Sequence, residues 1–196
     1  MKHIAITGGI GSGKTYVCKL LSLRGISVYD CDAAAKRLMR SSKELQKALC
    51  ELVGNDVYRD GILQKKRLAS FLLASDDHRQ AVNDIVHPAV AEDYLLSGQE
   101  WLESAILFES GFYQRVAFDY IICVTAPEDI RLQRIMHRDS ISKEKAHQWI
   151  VNQMPQEDIL QRSDYEIQND GIKPLAPQID ALLNIIQSNH TNHSTF

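Results

Sequence analysis

Residues 8–15 of the 196-residue chain read Gly8-Gly9-Ile10-Gly11-Ser12-Gly13-Lys14-Thr15, which fits the pattern G-x-x-x-x-G-K-[ST]. An apolar run at residues 3–7 precedes the segment, and a helical pattern at residues 14–23 follows it. Glycines permit a tight turn that brings backbone N–H groups against phosphate oxygens, and the helix N-terminus adds partial positive charge. The segment therefore predicts a phosphate-binding loop between a strand and a helix.

The side chains of this segment indicate which phosphate ligand it binds. Lys14 is expected to reach the β- and γ-phosphates, and the Thr15 hydroxyl is expected to bind Mg²⁺, so the prediction is ATP with Mg²⁺. Tyr16 is placed in the same ATP site, and Asp32 and Glu103 are candidates for a second metal ligand. The sequence contains neither G-x-G-x-x-G nor the guanine-nucleotide motifs D-x-x-G and N-K-x-D, which disfavours nicotinamide enzymes and GTP switches.

Composition restricts the partners and the compartment. The chain has 22 Lys and Arg against 25 Asp and Glu, a net charge of −3, which lacks the positive excess that nucleic-acid binding requires. No apolar run is long enough to cross a membrane, and no signal peptide is recognisable at the N-terminus. Four widely spaced cysteines without a CxxC pair indicate packed, reduced thiols. We therefore expect a cytoplasmic protein with neither nucleic-acid nor membrane partners.

Short apolar runs alternate with helical patterns along the chain, which predicts an α/β fold. We expect a three-layer sandwich of the P-loop NTPase type, built on a five-stranded parallel sheet, as a single domain over residues 1–187. Residues 33–97 contain too much helix for a simple crossover and predict an inserted helical subdomain that binds the acceptor. Helices are expected at residues 14–23, 127–138, 143–153 and 174–186, strands at 3–7, 27–29, 101–103, 120–125 and 165–168, and a disordered tail at 188–196.

Two carboxylates, Asp30 and Asp32, follow the second predicted strand. Their spacing places both on one side of an extended segment, at the edge of the sheet where open α/β folds bind ligands. A carboxylate there could take the proton of an acceptor hydroxyl during phosphoryl transfer. An equally good interpretation is that Asp32 caps the helix that begins near Ala33. With the helical insertion, this pattern favours a small-molecule kinase.

Further segments extend this interpretation. ITGGIGSGKT, VYDCD, IVHP, ILFE, RLQRIMHRD and DYEIQNDG occur in an order and spacing that resemble the dephospho-CoA kinase family over about residues 3–172. The resemblance implies transfer of the ATP γ-phosphoryl group to the ribose 3′-hydroxyl of dephospho-CoA, giving CoA and ADP. The alternatives are another P-loop small-molecule or nucleoside monophosphate kinase, and a nucleotide-gated binding protein that hydrolyses ATP slowly.

The resemblance also implies roles for residues on the acceptor side. Asp32 matches the proposed general base and Asp30 its companion, while the insertion corresponds to CoA-binding helices. His87 belongs to the matching His-Pro pair, although Pro88 would also be a good first residue of a helix. Glu109 is either an acid near the acceptor or a surface carboxylate. Lys65 stands where the family often has arginine, so a bidentate phosphate contact there is in doubt.

Three arginines, at positions 131, 134 and 138, share one face of the helix predicted at residues 127–138. They form either a phosphate clamp or a solvated stripe. The resemblance assigns Arg138 to the ATP phosphates, makes residues 139–162 a lid, and places Asn169 in the loop beside the adenine. Arg131 stands where the family commonly has glutamine and is given no role.

Overall fold

The computed structural model describes residues 2–191, with side chains described as far as residue 188. The strands are β1 Ile4–Thr7, β2 Val28–Asp30, β3 Tyr58–Arg59, β4 Ile62–Leu63, β5 Trp101–Glu103, β6 Tyr120–Thr125 and β7 Tyr165–Gln168. The helices are α1 Lys14–Ser22, α2 Cys31–Ser41, α3 Lys43–Val53, α4 Lys65–Ala74, α5 Asp76–Ser97, α6 Glu128–Asp139, α7 Lys143–Val151, α8 Gln156–Gln161 and α9 Leu175–Thr191.

The larger sheet has five strands in the order β2-β5-β1-β6-β7. Strand β1 pairs in parallel with β5 and β6, and β6 pairs in parallel with β7. Every residue of β1 is buried, because helices cover both faces of such a sheet. Apolar residues of α1 and α9, such as Val17 and Ile179, pack against it in one core. The predicted α/β fold with a five-stranded parallel sheet is confirmed.

The chain divides into two compact units, of which the first contains Met1–Val28, Glu100–Glu109 and Phe118–Phe196. The second contains Tyr29–Gln99 and Ser110–Ala117. The predicted insertion at residues 33–97 lies inside the second unit, which also includes the distant segment 110–117. No helix in the described part of the chain is long and apolar enough to span a membrane.

Several elements differ from the sequence predictions. Pro88 lies inside the 22-residue helix α5, so the interpretation that it starts a helix is wrong. The β3–β4 hairpin was not predicted, because its strands have two residues each and carry no measurable alternation. Helix α9 extends through residue 191, so residues 188–191 of the predicted tail are helical, while 192–196 lie outside the described residues.

Candidate active site

The phosphate loop, residues 8–15, connects β1 directly to α1. Gly13 is the N-cap of α1 at φ 95°, and a Cβ there would collide with the side-chain amide of Asn169. Gly8, at φ 140°, lies against the carbonyl of Val124 in the same way. Both positions therefore need glycine for backbone conformation and for space. No side chain caps α1, which leaves this helix end suited to an anion.

Lys14 lies inside the loop rather than in solvent. Its side chain is buried, and Nζ donates to the carbonyl oxygens of Gly8 at 2.8 Å and Gly9 at 3.3 Å. The hydroxyl of Ser12 is also buried and has no hydrogen-bond partner. Because a buried polar atom without a partner is costly, an unpaired hydroxyl beside a buried ammonium fits a ligand that supplies acceptor oxygens. The loop therefore has the donors that a phosphate chain requires.

Two arginines of α6 donate hydrogen bonds to backbone carbonyls of the phosphate loop. Arg131 is only 5% exposed, and its Nε donates to the carbonyl of Ile10 at 2.9 Å. Its guanidinium occupies the space beside Gly9, and burial lowers its pKa. Arg134 donates through Nη1 to the carbonyls of Gly11 and Ser12, both at 3.2 Å. These bonds fix the carbonyls, and thus the curvature, of the loop.

Asn169 connects the end of β7 to the same loop. Its Nδ2 donates to the carbonyl of Ser12 at 2.8 Å, and its backbone N–H donates to Thr125 at 2.8 Å. Arg134 donates through Nη2 to the Asn169 carbonyl at 2.9 Å. Asn169 is buried at the position where the sequence analysis placed a nucleotide-site residue, although the bonds it makes are to the loop itself. Its expected proximity to the adenine stays a prediction.

Arg138 and Tyr16 lie on the exterior. The Arg138 side chain is 60% exposed and pairs with the neighbouring Asp139, whose Oδ2 accepts at 2.7 Å. Tyr16 is 55% exposed, two residues into α1. In this conformation Arg131 and Arg134 make the buried contacts with the phosphate loop. Arg138, which was predicted to contact phosphate, lies in the last turn of α6. The phosphate contact of Arg138 stays a prediction.

The predicted lid, residues 139–162, contains α7 and α8. Gln153, between the two helices, accepts a 2.6 Å hydrogen bond through Oε1 from the backbone N–H of Ile10 in the phosphate loop. Glu109 accepts from the backbone N–H of Met154 at 3.2 Å. Helix α8 is anchored, because Ile159 is buried and Gln156 accepts from the Ala126 N–H at 3.0 Å. Glu109 itself is half-buried, and its carboxylate contacts the predicted lid segment.

In the second unit, Asp30 and Asp32 have different structural roles. Asp30 is the N-cap of α2, and its Oδ1 accepts from the N–H of Ala33 at 2.9 Å. The interpretation that Asp32 caps this helix is therefore wrong. Asp32 is exposed in the first turn of α2 and makes no hydrogen bond or ion pair with any described residue. Its carboxylate is available for an acceptor hydroxyl, as its predicted role requires.

His87 lies on α5 with its ring edge against Phe112, at 5.7 Å between centroids. Its Nδ1 is buried without a partner. The pKa of His87 is lowered, first by burial and then by the cation of Arg115, while a hydrogen bond with the Ser110 backbone and the charges of Asp84 and Asp32 act in the opposite direction. An imidazole that favours its neutral form and senses the Asp32 charge is compatible with a polar acceptor site in this unit.

The described residues offer single oxygen donors to a metal ion rather than a preformed cluster of ligands. Within residues 2–191 no group of three His, Cys, Asp or Glu side chains could hold a metal ion. The exposed hydroxyl of Thr15 and the carboxylate of Glu103, which ends β5 beside Ile6 of β1, are oxygen donors. Mg²⁺ commonly uses one or two such protein oxygens together with waters and substrate phosphates. The donor set fits Mg²⁺ that arrives with a nucleotide.

Three of these residues were missed by the sequence analysis. Arg131 and Arg134 were recognised only as members of a helix face, and Gln153 was not singled out within the predicted lid. The spacing of the arginines was the available signal for the first two. Nothing in the local sequence indicates that Gln153 bonds to a residue 143 positions earlier.

Comparison with known proteins supplies an independent test. Residues 2–174 match the family described as dephospho-CoA kinase. A dephospho-CoA kinase of Bacteroides fragilis is 42% identical over 191 residues, covering 92% of this chain and 90% of that protein. One from Porphyromonas gingivalis is 38% identical over 199 residues, covering 98% of both. The structure of TT1252 from Thermus thermophilus superposes with a TM-score of 0.75 at 30% identity, covering 96% of this chain and 97% of that one. The chain belongs to the dephospho-CoA kinase family.

Proposed function

We propose that the chain transfers the γ-phosphoryl group of ATP to the ribose 3′-hydroxyl of dephospho-CoA, yielding CoA and ADP. The observation that carries this proposal is the family match over residues 2–174, which includes a phosphate loop with a buried lysine. The substrates, ATP and dephospho-CoA, are those of the family. A cytoplasmic location is proposed with this function, in agreement with four cysteines that form no disulfide.

The nucleotide side of the reaction is assigned to the loop. Backbone N–H groups of residues 8–15 bind phosphate oxygens, and Lys14 neutralises the charge that develops on the transferred group. The Thr15 hydroxyl would hold Mg²⁺ that arrives with ATP, and the ion would supply positive charge against the phosphates. Arg138 is proposed to contact the phosphates once nucleotide is present, and Tyr16 and Asn169 to border the nucleotide.

The acceptor side is assigned to the second unit. Asp32 accepts the proton of the 3′-hydroxyl as its oxygen attacks phosphorus, a contribution of about 10²–10⁴ in rate. Asp30 supports Asp32 by fixing the first turn of α2, and His87 lies within range of the Asp32 charge. Glu109 acts indirectly, since its carboxylate binds the predicted lid segment. Closure of the predicted lid, residues 139–162, would exclude water, which competes for the phosphoryl group.

ADP release with and without dephospho-CoA tests the proposal. We expect ADP formation to depend strongly on dephospho-CoA and the acceptor to gain one phosphate, measured by mass spectrometry. The 3′-deoxy analogue, which lacks the reacting hydroxyl, should give neither result. ADP release at the same rate without any acceptor would instead identify an ATPase and refute the proposal.

A further inference from the structure

Ile10 of the phosphate loop is held through its N–H, its carbonyl and its side chain by parts of the chain that follow β6. The N–H donates to Oε1 of Gln153 at 2.6 Å, and the carbonyl accepts from Nε of Arg131 at 2.9 Å. The side chain packs against an apolar cluster formed by α6 and α7. Gln153 and α7 belong to the predicted lid, residues 139–162, and all of these residues lie in the first unit. This one loop residue is thus connected to the predicted lid by a hydrogen bond and by packing.

The apolar cluster joins the phosphate loop to both helices. Buried residues of α6 and α7 form it, and partly buried side chains pack against it: Leu132, Ile135, Ala146 and Ile150, then Ile10, Met136, Ile141 and Trp149. Ile135 is only 1% exposed, and Ala146 is fully buried. Closely packed interiors have few voids, so a shift of one side chain displaces its neighbours. A change in the position of Ile10 should therefore reach α7.

The backbone on both sides of Gln153 is fixed. Its own N–H donates to a carbonyl in the last turn of α7 at 3.2 Å. The next N–H, that of Met154, donates to the carboxylate of Glu109 at 3.2 Å. Pro155, the N-cap of α8, has a φ of −51°, as its ring requires. Gln153 is thus presented to the phosphate loop by an ordered connection, residues 152–155.

The bond to Gln153 occupies one backbone donor of the loop, the N–H of Ile10. The Lys14 ammonium and the Ser12 hydroxyl, which fit phosphate oxygens, are different groups. The bond to the predicted lid and the bonds to nucleotide can therefore exist together. Loss of the Gln153 bond should change the position of the lid and leave most of the nucleotide contacts in place.

We propose that Gln153 is a positioning residue for phosphoryl transfer, which acts through the backbone N–H of Ile10 to keep the predicted lid in register with the phosphate loop. The proposal rests on the function proposed above and deepens it, because it names the contact that relates nucleotide in the loop to the position of the lid. When nucleotide shifts the loop, Ile10 moves Gln153 and helix α7 with it. Gln153 itself touches neither substrate and is therefore not a catalytic residue.

Gln153→Met tests this role, because methionine has the same length as glutamine but is only a weak acceptor. In the full chain, kcat for phosphorylation of dephospho-CoA should fall about tenfold, as for the loss of one hydrogen bond, while both KM values stay within about twofold. Attack by water does not need a positioned lid, so the ratio of inorganic phosphate to phosphorylated dephospho-CoA should rise about tenfold. Gln148→Met, the same substitution on an exposed residue of α7, is the matched control and should change neither quantity.

The conservative variant Gln153→Glu isolates the contribution of the acceptor oxygen. A carboxylate can accept the Ile10 N–H as the amide does, so kcat should stay within about threefold of the unsubstituted protein. Its negative charge beside the loop should raise the KM for ATP about threefold or more. The two variants should therefore differ in kind, with a lower kcat for Gln153→Met and a higher KM for Gln153→Glu.

Trp149 of α7 allows a direct measurement of the lid, because it packs against the same cluster as Ile10 and the chain has only one other tryptophan, Trp101. ADP with Mg²⁺ should change the tryptophan fluorescence of the unsubstituted protein, and Trp149→Phe should abolish that change. Trp101 is buried in the core of the sheet and should not contribute. In Gln153→Met, ADP should bind with a Kd within about twofold of the unsubstituted protein but produce less than about half of the fluorescence change.

Thermal unfolding shows whether each variant is folded, and Ile10→Ala provides a second test, because it removes the apolar contact and keeps the N–H. It should also lose more than about half of the fluorescence change. An unchanged kcat and phosphate ratio in Gln153→Met, or equal losses of kcat in Gln153→Met and Gln153→Glu, would overturn the proposal. It is likewise overturned if ADP does not change Trp149 fluorescence in the unsubstituted protein, or changes it equally in Gln153→Met and Ile10→Ala. Failure of the unsubstituted protein to phosphorylate dephospho-CoA would instead refute the proposed function.

Discussion

The phosphate loop and the acceptor region differ in how much of their polar chemistry is already satisfied. In the loop, the carbonyls of Ile10, Gly11 and Ser12 are bonded by side chains from distant parts of the chain. In the second unit, Asp32 makes no hydrogen bond or ion pair with any described residue. One region is held in shape by internal bonds, whereas the other keeps a carboxylate for a ligand.

This difference reflects the demands of the two substrates. A phosphate chain is compact and highly charged, and a preorganised cradle binds it without reorganisation during the reaction. Dephospho-CoA is long and flexible, so its recognition needs an extended surface with a few charges at defined intervals. Substitutions in the loop should therefore affect both chemistry and stability, whereas those in the acceptor region should affect chemistry or acceptor binding separately.

The largest effect is expected from Lys14→Ala. Without the buried ammonium, both ATP binding and charge stabilisation in the transition state are lost, and kcat/KM for ATP should fall about 10³-fold or more. Lys19→Ala, on an exposed position of the same helix, is the control and should retain nearly full activity. Steady-state kinetics with both substrates measure the effect, and retention of a large part of the activity would exclude Lys14 from the site.

Asp32→Asn should lower kcat about 10²-fold while leaving both KM values near normal, because binding and positioning persist without the base. Near-normal turnover would show that Asp32 is not the base.

Asp30, the N-cap residue of the same helix, provides the comparison. Asp30→Asn should preserve stability, since Asn caps as well as Asp, whereas Asp30→Ala should cost about 1 kcal/mol of unfolding free energy. Loss of activity in Asp30→Asn would indicate contact with the acceptor.

Arg131→Ala and Arg138→Ala should separate loop support from phosphate contact. Arg131 is buried, and its loss leaves the Ile10 carbonyl unpaired, so we expect about 1–3 kcal/mol less unfolding free energy and a higher KM for ATP. Arg131→Gln should restore part of both, because glutamine can still donate to that carbonyl. Arg138→Ala should lower kcat with unchanged stability. A stability loss in Arg138→Ala equal to that of Arg131→Ala would contradict the distinction.

The smallest effect concerns His87 and pH. Its pKa in the folded state lies below the ordinary value near 6.5, so the fold resists protonation that the unfolded chain accepts. At a pH well above the ordinary pKa, His87 is neutral in both the folded and the unfolded state and does not lower the unfolding free energy. As the pH falls below that pKa, the unfolding free energy should decrease. Urea unfolding at pH 7.5 and pH 5 should show a smaller decrease for His87→Gln than for the unsubstituted protein. His137→Gln, on an exposed residue, should behave like the unsubstituted protein, and equal decreases in all three would refute the prediction.

Local patterns in the sequence identified much of the fold. The strand, glycine-rich loop and helix at residues 3–23 follow from apolar periodicity and from the positions of glycine, and the structure places them within a residue or two. The family is identified by short motifs in a fixed order. By contrast, the hairpin was missed because two-residue strands carry no periodicity. Local rules also favoured Pro88 as the first residue of a helix, whereas it lies inside α5.

Taken alone, the sequence determined a phosphate loop, a parallel sheet and membership of a kinase family, because each depends on residues that are neighbours in the chain. Only the tertiary structure decided which arginine supports the loop. Arg131, Arg134 and Arg138 share a helix face, but Arg138 lies about 10 Å further along the axis than Arg131 and pairs with Asp139. The bond from Ile10 to Gln153 was also decided by tertiary structure, because its two residues are 143 positions apart in the chain.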